Sequence, residues 1–294
     1  MKRICKFLLL LGISSGPALS AAVPSGPELV AGLMEEVEYL SSPELAGRGF
    51  GSAGDRACSF YIFRQFRNAG LRTFFQGFED GGRVGHNVVG VTPGWFRRYI
   101  VVGAYFDGVG QFGDVYYPGA DANASGTAAL LCLARGLHEF CTGDTGIIFV
   151  AFDGHGASLS GSRTFLEEYA SEYPVELMAN MELLGSDLEP VRAGRPEYLM
   201  ALGGERYRLT LDWANIGIGL DLSTSYYGSE NFTDLFYRRI GDQRWFIEAG
   251  IPAVMFTSGI TSNTNKVSDT PENLAPEIFA KRVELIAGWL KDML

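Results

Sequence analysis

The chain has 294 residues, 47% hydrophobic and 20% charged, proportions of a globular protein that exclude a disordered or fibrous one. Its 34 acidic residues against 24 Lys and Arg, with no basic run, exclude nucleic acid as a partner, because phosphate neutralisation needs clustered cations. The 4 cysteines show no CxxC spacing, which argues against a thiolate zinc site and against a disulfide framework.

Residues 1–22 have the layout of a secretory signal peptide: basic MKRICKF, apolar LLLLGISSG, then small residues, with cleavage expected after Ser20 or Ala22. The apolar run is too short to span a bilayer. Cys5 precedes it and is not placed as a lipid anchor. The expectation is an exported protein, periplasmic or extracellular, with no stable membrane anchor.

Residues 23–294 read as a single domain. PELVAGLMEEVEYLSS predicts a helix. A second helix starts at Ser52, with Asp55 three residues on, and keeps Phe60, Phe63, Phe66 and Ala69 at helical spacing before Gly70 stops it. HNVVGV and RYIVVGAYF predict strands, ASGTAALLCLARGLHEF a helix and TGIIFVAFD a strand. GSRTFLEEYASEY predicts a helix, and VELMANMELLG and IPAVMF predict further strands. The last segment places Phe279, Val283, Ile286 and Leu290 on one face of an amphipathic helix. Cys132, in an apolar helical stretch, reads as a buried free thiol. Residues 186–240, rich in Tyr, Gly and Ser, read as an insertion or lid. Continuously apolar strands alternating with helices predict an α/β fold: a three-layer α/β/α sandwich around a mostly parallel, mixed sheet.

In such sheets ligands bind beyond the carboxyl ends of the strands. The polar residues there are Tyr105 and Asp107, Asp121 in a glycine-flanked loop, Asp153 and His155, and Glu182. Crowded carboxylates need a cation, a shared proton or solvent between them. Asp153 fits a structural cap, and His86 and His138 fit packing or surface roles. No GxSxG elbow and no phosphate-binding GxxxxGK[ST] occurs.

Several blocks, in order, resemble the zinc-dependent exopeptidases of metallopeptidase family twenty-eight, which include bacterial leucyl aminopeptidases and glutaminyl cyclases. They are HNVVG, GADANASGTAALLCLAR, FVAFDGHGASLSGSR, NMELLG, GDQRWFIEAGIPAVMF and TNKVSDTPENL. The resemblance runs from about Leu40 to the C-terminus and implies the zinc-exopeptidase fold. It also implies a two-zinc site in which the bridging Asp is Asp121 and a further acidic ligand is Glu182. The other ligand positions hold Tyr105, Gly156 and Asn265, and the general-base position holds His155. Asp107 and Asp269 match supporting acids, and Gln243 stands where the family has a His.

Catalytic zinc takes three protein ligands and a water whose pKa it lowers toward 7. The expectation is therefore a degenerate site without a cofactor, in a pseudoenzyme that binds peptide N-termini or small amines or serves as a scaffold. The alternative is an active aminopeptidase or related hydrolase with one zinc held by Asp121, Glu182 and His155. A third reading is metal-free acid–base chemistry by His155 with a carboxylate.

Overall fold

The computed structural model describes residues 24–169 and 171–294; the signal-peptide reading of residues 1–22 lies outside them. Two helices come first, α1 (Gly26–Leu40) and α2 (Ala53–Asn68). The Ser52 hydroxyl caps α2 by accepting the Asp55 N–H at 3.1 Å. A hairpin follows, β1 (Arg72–Asp80) and β2 (Arg83–Val91), antiparallel from Arg72↔Val91 to Asp80↔Arg83. Its turn is Gly81–Gly82, both at positive φ, as a two-residue hairpin of this twist requires. The sequence reading assigned no element to residues 72–80. They form a half-exposed edge strand whose neighbouring aromatics, Phe74 and Phe75, obscure a period of two.

The chain continues through β3 (Arg98–Tyr105), a small hairpin of β4 (Gly110–Phe112) and β5 (Val115–Tyr117), and α3 (Gly126–Leu137). Next come β6 (Thr145–Phe152), α4 (Ser160–Tyr169) and β7 (Val175–Met181). Then β8 (Tyr198–Leu202), α5 (Arg208–Ala214) and β9 (Asp221–Ser223) lead to α6 (Glu230–Leu235) and α7 (Arg244–Glu248). The last elements are β10 (Ala253–Thr257) and α8 (Pro276–Lys291).

Eight strands form one sheet in the order β1-β2-β6-β3-β7-β10-β8-β9. Its centre, β6-β3-β7-β10, is parallel; β2 pairs antiparallel with β6, and β8 with β10. The sheet is therefore mixed and mostly parallel at its core, with helices on both faces. Alternation along β3 sends Ile100, Val102 and Ala104 to the core shared with α1, α2, α3 and α8, and Val101 to the core shared with α4 and α7. All eight residues of β6 are buried, as a central parallel strand covered on both faces must be. Each fully buried Leu, Ile or Phe contributes roughly 1.5–3 kcal/mol of apolar transfer. From residues 186–240, β8 and β9 extend the sheet, and the turn after α6 overhangs the carboxyl end of the parallel strands. Among the described residues no helix is long and apolar enough to cross a membrane.

Candidate ligand site at the carboxyl end of the sheet

The loop carrying Asp121 is built to a tight tolerance. Gly119 has φ 60°, and a Cβ there would lie 2.6 Å from the Ala122 carbonyl oxygen. A Cβ on Gly126 would lie 2.5 Å from both the Met181 carbonyl oxygen and Asn123 Oδ1. Asn123 laces the loop to two strands: its Nδ2 donates to the carbonyls of Tyr105 and Met181, and its Oδ1 accepts the Leu183 N–H at 3.0 Å. Asp269 accepts the backbone N–H groups of Asp121 (2.8 Å) and Ala122 (3.0 Å). Asp121 Oδ1 accepts the Gly185 N–H at 2.7 Å and the Ser125 hydroxyl at 3.1 Å. These contacts turn the chain at Leu183, so β7 ends at Met181, four residues short of the expected strand. Asp121 Oδ2 is buried and has no hydrogen-bond partner among the described residues. Burial, then the charge of Asp269, pushes the Asp121 carboxyl up to about 7.

On the other side, the turn after β6 carries His155. Asp107 accepts the backbone N–H of His155 at 2.9 Å and of Gly156 at 3.3 Å, and so holds that turn. The imidazole lies flat on the Tyr105 ring, with centroids 3.7 Å apart and planes 14° apart. Its Nδ1 is 2.8 Å from Asp242 Oδ2. Burial alone would lower the His155 pKa. The charge and hydrogen bond of Asp242, with the charges of Glu182 and Asp107, outweigh it and raise the pKa to about 9. This shift favours the imidazolium form, whose Nδ1–H donates to Asp242. Nε2 has no protein partner among the described residues, and His155 lines a cavity of about 530 Å³.

Tyr105, Asp107, Gly156, Glu182 and Asn265 line the same cavity. Its apolar side comes from Phe236, Ile240 and Ile260. Glu182 is buried, and its one side-chain hydrogen bond is a long 3.5 Å contact from Asn180. Burial raises its pKa to about 7 against the pull of His155. Asp121 and Asp269 stand behind the loop and do not line the cavity. Gln243 is fully buried; it donates to the carbonyls of Phe236 and Tyr237 and accepts from Asn180, all within the protein. Asp153 gives both oxygens to backbone N–H groups, those of His86 and Gly154.

Two contributors were missed in the sequence. Asp242 lies in GDQRWFIEAG, and its acid next to Gln243 is the available signal. Arg48 carried none: buried before α2, it donates to the carbonyls of Leu40, Phe106, Pro118 and Gly119, pinning the segments that flank Asp107 and Asp121.

The profile of peptidase family M28 matches residues 87–290, and the chain belongs to that family. It is 25% identical over 198 residues to leucine aminopeptidase 1 of Aspergillus oryzae, covering 64% of this chain and 49% of that one. The chain spans half or less of the curated relatives it matches. Its fold is that of a zinc aminopeptidase from Bacillus subtilis, with TM-score 0.74 and 15% identity over 90% of this chain and 94% of the other. Porphyromonas gingivalis glutaminyl cyclase has the same fold, with TM-score 0.70 and 16% identity over 90% and 98%.

Among the described residues no three His, Cys, Asp or Glu side chains group to hold a metal. Gly156 supplies no donor, Tyr105 is a phenol whose pKa burial raises well above its usual value, and the His155 nitrogen facing Asp242 is engaged.

Proposed function

We propose that this M28-family protein binds the N-terminus of a peptide, or a small amine, in the cavity below Phe236 without hydrolysing it. The observation that carries this reading is geometric: the His155 ring, at the position where the resemblance has a general base, stacks on Tyr105 with its Nδ1 2.8 Å from Asp242 Oδ2, a pairing that favours the protonated ring. A protonated ring cannot take a proton from water, and without a metal nothing brings that water's pKa down from about 16. The same ring suits binding. Its Nε2–H can donate to the carbonyl oxygen of a first peptide residue, while the Glu182 carboxylate accepts the ammonium group. Phe236, Ile240 and Ile260 suit an apolar first side chain. Export, proposed from residues 1–22, is checked by N-terminal sequencing of the mature protein.

The test is calorimetric titration with leucinamide and with its N-acetyl derivative, alongside an aminopeptidase assay with added zinc. Leucinamide binds, the acetylated form does not, and Glu182→Gln weakens binding roughly 10- to 100-fold, the worth of a charge-assisted hydrogen bond. Equal affinity of the two ligands, or zinc-dependent turnover, overturns the reading. One observation favours a second reading, a single-zinc hydrolase: the unpartnered, buried Asp121 Oδ2. One zinc per chain after desalting, lost in Asp121→Ala, together with aminopeptidase turnover that a chelator abolishes, would establish it.

A further inference from the structure

A second cavity, of about 480 Å³, adjoins the first. The two share four wall residues: Asp107, Gly108, Val109 and Gly156. The junction is lined on two sides by glycines. A Cβ placed on Gly156 would approach nothing closer than Asp107 Oδ2, at 3.8 Å, so a side chain there would project into open space. The resemblance gives this position a metal-binding Glu. Its replacement by glycine removes a possible ligand and leaves a passage.

The two chambers differ in their walls. Glu182 and His155 line only the first, whereas Asp107 lines both. The second is walled by Phe50, Phe112 and Arg83. Arg83 opens β2 directly after the Gly81–Gly82 turn, and its guanidinium lies 4.7 Å from the centroid of the Phe50 ring. That stacking limits where the cation can go. Arg83 forms no ion pair with a carboxylate among the described residues, so its charge is available to a ligand. Arg83 is exposed, so its guanidinium can meet a ligand carboxylate at the mouth of the second cavity.

We infer that the two chambers form one groove for a short peptide with an apolar N-terminal residue and a carboxylate further along, the ammonium end at Glu182 and the carboxylate at Arg83. The backbone passes between Gly156 and Gly108. The carboxylate is the C-terminal group of a very short peptide or the side chain of an acidic residue. This rests on the amine-binding reading above and adds to it the far end of the ligand.

The test uses leucyl peptides of two to four residues, each as free acid and as amide, and amides ending in Glu or in Gln. Binding is measured by calorimetry on the mature protein at low and at high salt. At one length the free acid binds about fivefold more tightly than its amide, the scale of one partly exposed charge pair, and the preference shrinks with salt. In Arg83→Gln the acid-to-amide ratio falls to one, and in Arg83→Glu it inverts. A matching preference for Glu over Gln amides identifies the acidic side chain as the source; its absence identifies the C-terminus. Acids and amides binding equally at every length, or a preference that survives Arg83→Gln, overturns the inference and leaves amine binding standing. Failure of every ligand, leucinamide included, overturns both.

Discussion

The two walls of the cavity are made differently. The Asp121 wall is closed upon itself: Asp269 holds the Asp121 and Ala122 N–H groups, Asn123 ties β3 to β7, and Asp121 Oδ1 receives Gly185. The His155 wall opens on the cavity through Tyr105, His155 and Gly156. Asp107, Asp121 and Asp269 accept backbone N–H bonds that hold the fold with or without a metal. Glu182 is the exception. It lines the cavity and has only a 3.5 Å contact to hold it, so it is the acid left for a ligand.

The largest effect should come from breaking the closed wall. Asp269→Ala would leave two buried N–H groups without acceptors, at about 1–3 kcal/mol each. Thermal or urea unfolding should show a loss of roughly 2–5 kcal/mol. Glu182→Gln, on the open side, should lie within about 1 kcal/mol of the parent. A mild Asp269→Ala and a damaging Glu182→Gln would invert the assignment of the two walls.

The next effect concerns the His155–Asp242 pair. The folded pKa of His155, about 9, exceeds the unfolded value of 6.5. A raised histidine pKa stabilises fully below about pH 6.5, and that contribution is lost as pH rises through about 9. Asp242→Asn removes the main partner, so the variant should be destabilised at pH 6 by a few kcal/mol, to order of magnitude, and its deficit should shrink toward pH 9. Melting temperatures of both proteins across that range check it. A deficit independent of pH would mean that Asp242 matters for packing and not for charge.

Much of this architecture was legible in the chain. The central strands are apolar along their whole length because helices cover both faces, and β6 in TGIIFVAF is the clearest case. The ends of those strands and the loops after them place Tyr105, Asp107, Asp121, Asp153, His155 and Glu182 on one rim; Asp121 and Asp153 turn instead to backbone N–H groups and do not line the cavity. The parts that were not legible depend on distant partners or weak local signals. Arg48 acts on carbonyls up to 71 residues away, and Asp242 meets His155 across 87 residues. Such contacts leave no period in the sequence. The strands β1 and β9 at the edges of the sheet, and β8 beside β9, were missed for local reasons. β1 is half exposed, β8 is five residues long and β9 three.

The smallest effect tests the stack itself. An imidazolium lying on a phenol ring gains from the π-face, by about 0.5–1 kcal/mol at a partly exposed site. Tyr105→Leu removes that face and should lower the His155 pKa by under one unit, since one unit corresponds to about 1.4 kcal/mol. Tyr105→Phe keeps the ring and should titrate like the parent. The NMR pH titration of the His155 ring protons separates the cases, with His86 and His138 as internal references. If both variants shift His155 equally, the hydroxyl and not the ring face is what holds the charge. If neither shifts it, Asp242 alone accounts for the imidazolium, and Tyr105 serves only as a wall of the cavity.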